Sequence, residues 1–160
     1  MKTFAFIFAR GGSKGIPNKN LKKINNVTLL EYSIRIAQNS NKIHEVFVSS
    51  DSKKILSIAN RLNARTILRP KILAQDNSPE WLSWQHSIKK IYKKNNFDIF
   101  ISLPTTSPLR KLIDINRAIK NFLINKPDIL YTINESSRNP YFNMVTKTNN
   151  FINKVIKNKK

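Results

Sequence analysis

The chain has 160 residues, enough for one domain with a real core, and its 40% apolar and 9% aromatic content excludes a disordered polymer. It contains no cysteine, which excludes disulfides and thiolate metal sites and fits a reducing compartment. Its net charge of +20 invites a polyanionic partner, but Lys, Asn and Ile fill 21, 21 and 22 positions, a bias that AT-rich coding alone also produces.

Thr3 to Ala9 is an unbroken apolar run, as expected for a strand buried on both faces. It is too short for a signal-peptide core, and no stretch approaches transmembrane length, so a soluble, cytoplasmic protein with no membrane partner is expected. A loop is predicted from there to about Val27. Leu29, Leu30, Ser33, Ile34 and Ala37 then recur at helical spacing. Val46 to Ser49 reads as a strand, followed by a helix capped by Ser50 or Asp51, with Ile55, Ile58, Ala59 and Leu62 inward. Thr66 to Leu68 is a further short strand. Ser78-Pro79-Glu80 reads as a helix start, with Ser78 as cap and Trp81, Trp84, Ile88, Ile91 and Tyr92 as the inner face.

Asp98 to Leu103 reads as a strand, and Leu112 to Ile124 as a helix with Leu112, Ile115, Ala118, Ile119 and Phe122 inward. Strands are expected over 128–133, 141–145 and 151–156. The alternation predicts an α/β domain with a mostly parallel sheet and helices on both faces. Ligands then bind outside the carboxyl ends of the strands, where loops 10–20, 49–52 and 103–110 leave. Residues 1–146 read as one domain. Residues 147–160, with five lysines and no acid, read as a disordered tail or a fold cut short.

The first of these loops, "ARGGSKGIPNKN" over 9–20, holds three glycines and the cations Arg10, Lys14 and Lys19. It is not a Walker loop, because Ile16 stands where Gly-Lys-Ser/Thr would begin, and it is not a dinucleotide turn, because Gly11 and Gly12 are adjacent. Glycines let backbone N–H groups face one concavity, and Arg and Lys neutralise phosphate, so the loop suits a polyphosphate. As elsewhere in a lysine-rich chain, a solvated basic loop is the competing reading. His44 and His86 lack spaced metal-ligating partners, and no serine sits in a hydrolase elbow. Asp51 reads as a helix cap and Asp76 as an acid ordering its own turn.

The loop closely resembles the N-terminal signature of the acylneuraminate cytidylyltransferases, the CMP-sugar synthetases. "VFVSSDSKKI" (46–55), "LRPKILAQDNSPEW" (68–81), "LPTTSPLR" (103–110) and "ESSRNPYFNMV" (135–145) agree in order and spacing. The resemblance implies a three-layer, Rossmann-like nucleotidyltransferase fold. It implies a reaction in which CTP and a nonulosonic acid sugar give a CMP-sugar and pyrophosphate, with Mg2+.

By motif, Arg10 and Lys19 are the implied catalytic cations on the triphosphate. Gly11, Gly12 and Ser13 are the implied loop contacts, Asn20 and Ser107 nucleotide contacts, and Arg69 a cytidine contact. Arg110 belongs to the loop implied to wall the sugar site, and Arg138 is a candidate partner for the sugar carboxylate in place of the usual lysine, an exposed surface arginine being the competing reading. The sequence departs from the pattern at Pro104, where many members have Gln, and at Phe142, where a lysine is usual.

Family members are longer. Their further part carries an Asp pair for the metal and a homodimer element, so no metal ligand is expected in this chain, and weak CTP binding with little turnover is expected of it alone. The rivals are a non-catalytic basic module for nucleic acid or a partner chain, and the same chemistry on Kdo.

Overall fold

The computed structural model describes the chain except Lys14, Asn134, Ser136, Ser137, Asn139, 141–143, Asn150 and 157–160, and the side chains of Thr148 and Lys154. Phe142, the first residues of the strand predicted over 141–145 and the chain's last four residues therefore lie outside the described residues. Two compact units are formed, Met1–Lys126 and Pro127–Lys160.

The first unit is built on four parallel strands: β1 (Thr3–Phe8), β4 (Glu45–Ser50), β5 (Arg65–Leu68) and β6 (Ile99–Ser102), in the order β5-β4-β1-β6. Alternate side chains of β1 serve two different cores. Ala5 and Ile7 join Val46 and Val48 under the helices α1 (Leu29–Gln38), α2 (Lys53–Arg61) and α4 (Leu112–Asn125), represented by Leu30, Ile34, Ile55, Ala59, Ile115 and Ile119. Phe4 and Phe6 point the other way, onto Phe47, Ile67, Phe97 and Phe100, and α3 (Glu80–Tyr92) lies against that layer through Ile91 and Trp84. This gives the three-layer α/β arrangement that the alternation predicts, with helices on both faces.

Several local expectations are corrected. Between β1 and α1 the chain is not all loop. A 3₁₀ turn (Lys19–Leu21) precedes a two-residue hairpin, β2 (Lys23–Ile24) and β3 (Val27–Thr28), whose turn places Asn25 and Asn26 at φ 47° and 63°. Two left-handed residues make the turn that matches strand twist, and Asn tolerates that conformation. The cap of α2 is Ser52, whose hydroxyl accepts from the Ile55 N–H at 3.4 Å; Ser50 and Asp51 do not cap it.

Pro79 is the N-cap residue of α3, and no side-chain cap bond forms there, so Ser78 does not cap the helix. On α3 the fully buried residues are Ser83 and Ser87, while Trp81 and Tyr92 are more than half exposed. The layer beneath is filled by phenylalanine rings, and only small side chains let the helix approach it.

In the second unit, β7 (Val145–Thr148) and β8 (Phe151–Lys154) form an antiparallel hairpin. Residues 128–133 form no strand. Ile129, Tyr131 and Ile133 alternate correctly but stay exposed, because alternation without a neighbouring ladder leaves backbone groups to water.

Candidate functional site at the carboxyl edge of the sheet

The strand order reverses direction at β1, with β4 on one side and β6 on the other. A crevice opens at the carboxyl ends on either side of such a switch point. The three loops leaving those ends are bonded to one another. The Gly11 N–H donates to Asp51 Oδ1 at 2.9 Å, tying the first loop to the loop after β4. A Cβ on Gly11 would lie 2.9 Å from Ser52 Cβ, so the glycine is needed for this approach.

Asn20, buried, donates from Nδ2 to the Arg10 carbonyl at 2.8 Å and accepts at Oδ1 from the Thr105 hydroxyl at 2.6 Å. It joins the first loop to the loop after β6. Sequence reading named Asn20 for a nucleotide contact but gave no signal for Thr105, 85 residues away. The two acids are also used differently from their local reading. Asp51 holds Gly11, and Asp76 pairs through Oδ1 with Arg10 Nη1 at 2.6 Å. Each reaches across loops that folding alone brings together.

Arg69 follows β5 directly. Its backbone N–H donates to the Ser50 carbonyl at 2.9 Å, and its side chain is buried. Nη1 donates to Ser83 Oγ at 2.9 Å, and that hydroxyl donates to the Leu73 carbonyl at 3.2 Å. Nε and Nη2 are buried with no hydrogen-bond partner among the described residues. Burial pulls the guanidinium below its usual value; Asp51 and Glu80 oppose this, and Arg10 adds to it. An arginine stays charged nonetheless. Buried, charged donors without acceptors are costly, so the cluster is built to receive an acceptor.

Lys19 is half-buried in the 3₁₀ turn of the same loop, Ser13 is half-buried and Gly12 is exposed. In the third loop Ser107 is exposed. Arg110 donates from Nη2 to the Pro104 carbonyl at 2.6 Å, while its Nη1 is buried without a partner among the described residues. Burial lowers the Arg110 pKa as well. Arg138 lies in the second unit and is exposed.

Two open concavities of about 290 and 410 Å³ lie elsewhere, beside the amino ends of β4 and β5 and between α2 and β5, each lined by a single Lys or Arg. The convergence of cations is at the loops. Among the described residues no three acidic, histidine or cysteine side chains converge on one point, and the two acids beside the first loop are engaged with Arg10 and Gly11. The described residues thus show no ready-made magnesium site at the loop.

A parallel α/β unit with its basic loops gathered at this switch point is a nucleotidyltransferase-type domain. The chain belongs to the cytidylyltransferase family, whose pattern it matches over residues 4–157. It is 37% identical over 142 residues to a post-translational flagellin modification protein B of Campylobacter coli, covering 87% of this chain and 60% of that protein. It is 37% identical over 156 residues to a CMP-N,N'-diacetyllegionaminic acid synthase of Campylobacter jejuni, covering 96% and 65%. The chain thus spans less than two thirds of the length of both relatives. Among solved structures it resembles a CMP:2-keto-3-deoxy-manno-octonic acid synthetase complexed with CTP, with TM-score 0.65 and 19% identity, over 79% of this chain and 49% of that one. No described helix is long and apolar enough to cross a membrane.

Proposed function

We propose that this chain carries the nucleotide half of a cytidylyltransferase that activates a nonulosonic acid sugar with CTP. The observation that carries the reading is the Arg69 guanidinium, buried at the carboxyl edge with two nitrogens that have no hydrogen-bond partner among the described residues, beside a glycine-rich loop bearing Arg10 and Lys19. A relative named for CMP-legionaminic acid synthesis supports the sugar class.

In this reading a sugar hydroxyl attacks the α-phosphorus. The new O–P bond forms as the bond from that phosphorus to the bridging oxygen breaks, pyrophosphate leaves with the electron pair, and the hydroxyl proton passes to solvent. The protein's share is positioning and charge stabilisation. Arg10 and Lys19 lie along the triphosphate. Gly12 and Ser13 offer N–H groups, since Gly11 has given its own to Asp51. Arg69 takes the nucleotide, Asn20 fixes the junction beneath it, Ser107 lines the nucleotide side and Arg110 the sugar side. The magnesium and homodimerisation expected from the family, and a sugar contact from Arg138, belong to the whole protein in this reading. Because the reaction consumes CTP, the reading places the protein in the cytoplasm.

Thermal unfolding with each nucleotide tests the proposal. CTP at millimolar concentration is expected to raise the Tm of the purified chain more than ATP, GTP or UTP does. At 100 times Kd a ligand adds about 2.7 kcal/mol. Equal stabilisation by all four, falling together with salt, would instead support the basic-module reading.

A further inference from the structure

We infer that Thr105 is a positioning residue for the phosphate contacts: its hydroxyl fixes the amide that closes loop 10–20, and so sets the spacing of Arg10 and Lys19. The inference rests on the reading of that loop as a triphosphate loop.

Asn20 joins the last residue of the loop to its first. Its Nδ2 donates to the Arg10 carbonyl at 2.8 Å. The two cations read as triphosphate contacts stand at this neck. Arg10 carries the accepting carbonyl, and Lys19 precedes Asn20 in the same 3₁₀ turn. That turn is itself bonded, from the Leu21 N–H to the Asn18 carbonyl at 2.8 Å and from the Lys22 N–H to the Lys19 carbonyl at 3.0 Å. Where Asn20 is held, the Lys19 backbone is held with it.

The peptide unit between Arg10 and Gly11 is fixed at both polar ends. Its carbonyl accepts from Asn20, and its N–H donates to Asp51 at 2.9 Å. A peptide unit is planar, so bonds on its two opposite edges fix its rotation. The Arg10 side chain and the backbone of Gly12 both leave from this plane. The amide that holds the carbonyl therefore aims both.

The Asn20 amide has two unlike ends. A backbone carbonyl only accepts, so Arg10 takes the Nδ2 end, and Oδ1 is left for a donor. The Thr105 hydroxyl is that donor, at 2.6 Å, and the two residues are only 5% and 3% exposed. Thr105 is well placed to act as an anchor. Its β-branched side chain is stiff at χ1. The preceding Pro104 has a fixed φ, and its carbonyl accepts from Arg110 Nη2 at 2.6 Å. One residue earlier, the Leu103 N–H donates to the Phe6 carbonyl of β1 at 2.9 Å. One hydroxyl thus ties the neck of the loop to the carboxyl edge of the sheet. Without it the amide is free to turn about its last torsion, and the bond to Arg10 turns with it.

Calorimetric titration of the full chain with CTP, ATP and tripolyphosphate tests this. The variants are Thr105→Val, which keeps the shape and removes the hydroxyl, Thr105→Ser, which keeps the hydroxyl, Asn20→Ala, and the double variant Asn20→Ala/Thr105→Val. Thermal unfolding checks that each is folded at the temperature used. Thr105→Val is expected to weaken CTP and tripolyphosphate by the same factor, about three- to ten-fold, the net worth of one hydrogen bond. Thr105→Ser should restore binding, and Thr105→Val should add no loss in the Asn20→Ala background.

A second readout needs neither ligand nor Asn20→Ala. The chain has three glycines, so glycine-selective 15N labelling gives one amide signal each for Gly11, Gly12 and Gly15. Thr105→Val should quicken hydrogen exchange at Gly11 by a similar factor and leave Gly15 as it was, with Thr105→Ser restoring Gly11. Full affinity in Thr105→Val overturns the inference. So does a loss for CTP that tripolyphosphate does not share, a loss undiminished in the Asn20→Ala background, or an unmoved Gly11 signal.

The underlying reading fails separately. If tripolyphosphate follows this pattern while CTP has no advantage over ATP, the cytidine assignment falls and the role of Thr105 stands. CTP selectivity with no Thr105→Val effect gives the reverse, and binding of none of the ligands by the wild type overturns both.

Discussion

Replacing Asn20 by Ala would strip the Arg10 carbonyl and the Thr105 hydroxyl of their bonds at once, because both end on this one buried amide. Both polar groups would then lose this partner, at a cost of about 2 kcal/mol. Urea unfolding of Asn20→Ala is expected to show that loss, together with weaker CTP binding, since the junction places Arg10. Unchanged stability would mean that water replaces the amide. The motif pointed to Asn20, but not to this bracing role, nor to the use of Asp51 and Asp76. Reading along a single sequence assigns an acid to the nearest backbone N–H, as a cap or a turn. In the folded chain the carboxyl ends of β1 and β4 are neighbours, and Gly11 competes for Asp51 on equal terms with the α2 terminus.

The same competition acts on whole elements. Helix α3 was legible as a helix from its spacing, but not in its facing, because period alone ranks large apolar residues inward. Here Phe4, Phe6, Phe47 and Phe100 already fill the layer, and Ser83 and Ser87 are the residues that fit against it. Their hydroxyls differ in use: Ser83 Oγ accepts from Arg69 and donates to Leu73, while Ser87 Oγ is buried without a partner among the described residues. Ser87→Ala is therefore expected to stabilise the chain by about 1 kcal/mol, by removing an unsatisfied hydroxyl from a site that keeps its shape. Ser83→Ala should destabilise it by a similar amount, because Arg69 loses the acceptor for Nη1. Denaturant midpoints for the pair give opposite signs if this is right; two losses would place an unseen partner on Ser87. By contrast β1, β4, α1, α2 and α4 were readable nearly to their ends, because the apolar residues at their periodic positions are the ones buried.

At the scale of the molecule, the parallel sheet followed from the alternation of elements. So did the gathering of three loops at one edge, since that rule holds for any strand order. What no local rule supplies is the balance of charge. A net +20 on 160 residues repels itself, and only three carboxylate pairings to arginine, Asp76–Arg10, Glu31–Arg35 and Glu45–Arg65, are formed among those described. The screening length falls from about 30 Å at 0.01 M salt to about 10 Å at 0.1 M, which weakens repulsion between distant lysines more than attraction at contact. Raising NaCl across that range should therefore raise the Tm, by roughly 2–4 °C if the gain is ~1 kcal/mol. The affinity for CTP should move the other way, because salt screens the attraction between Arg10, Lys19, Arg69 and the triphosphate. Chloride therefore has opposite effects on the two readouts, and measuring both on one preparation separates them. A Tm that falls with salt would mean that charge attraction, of which these three pairs are the described part, outweighs the repulsion.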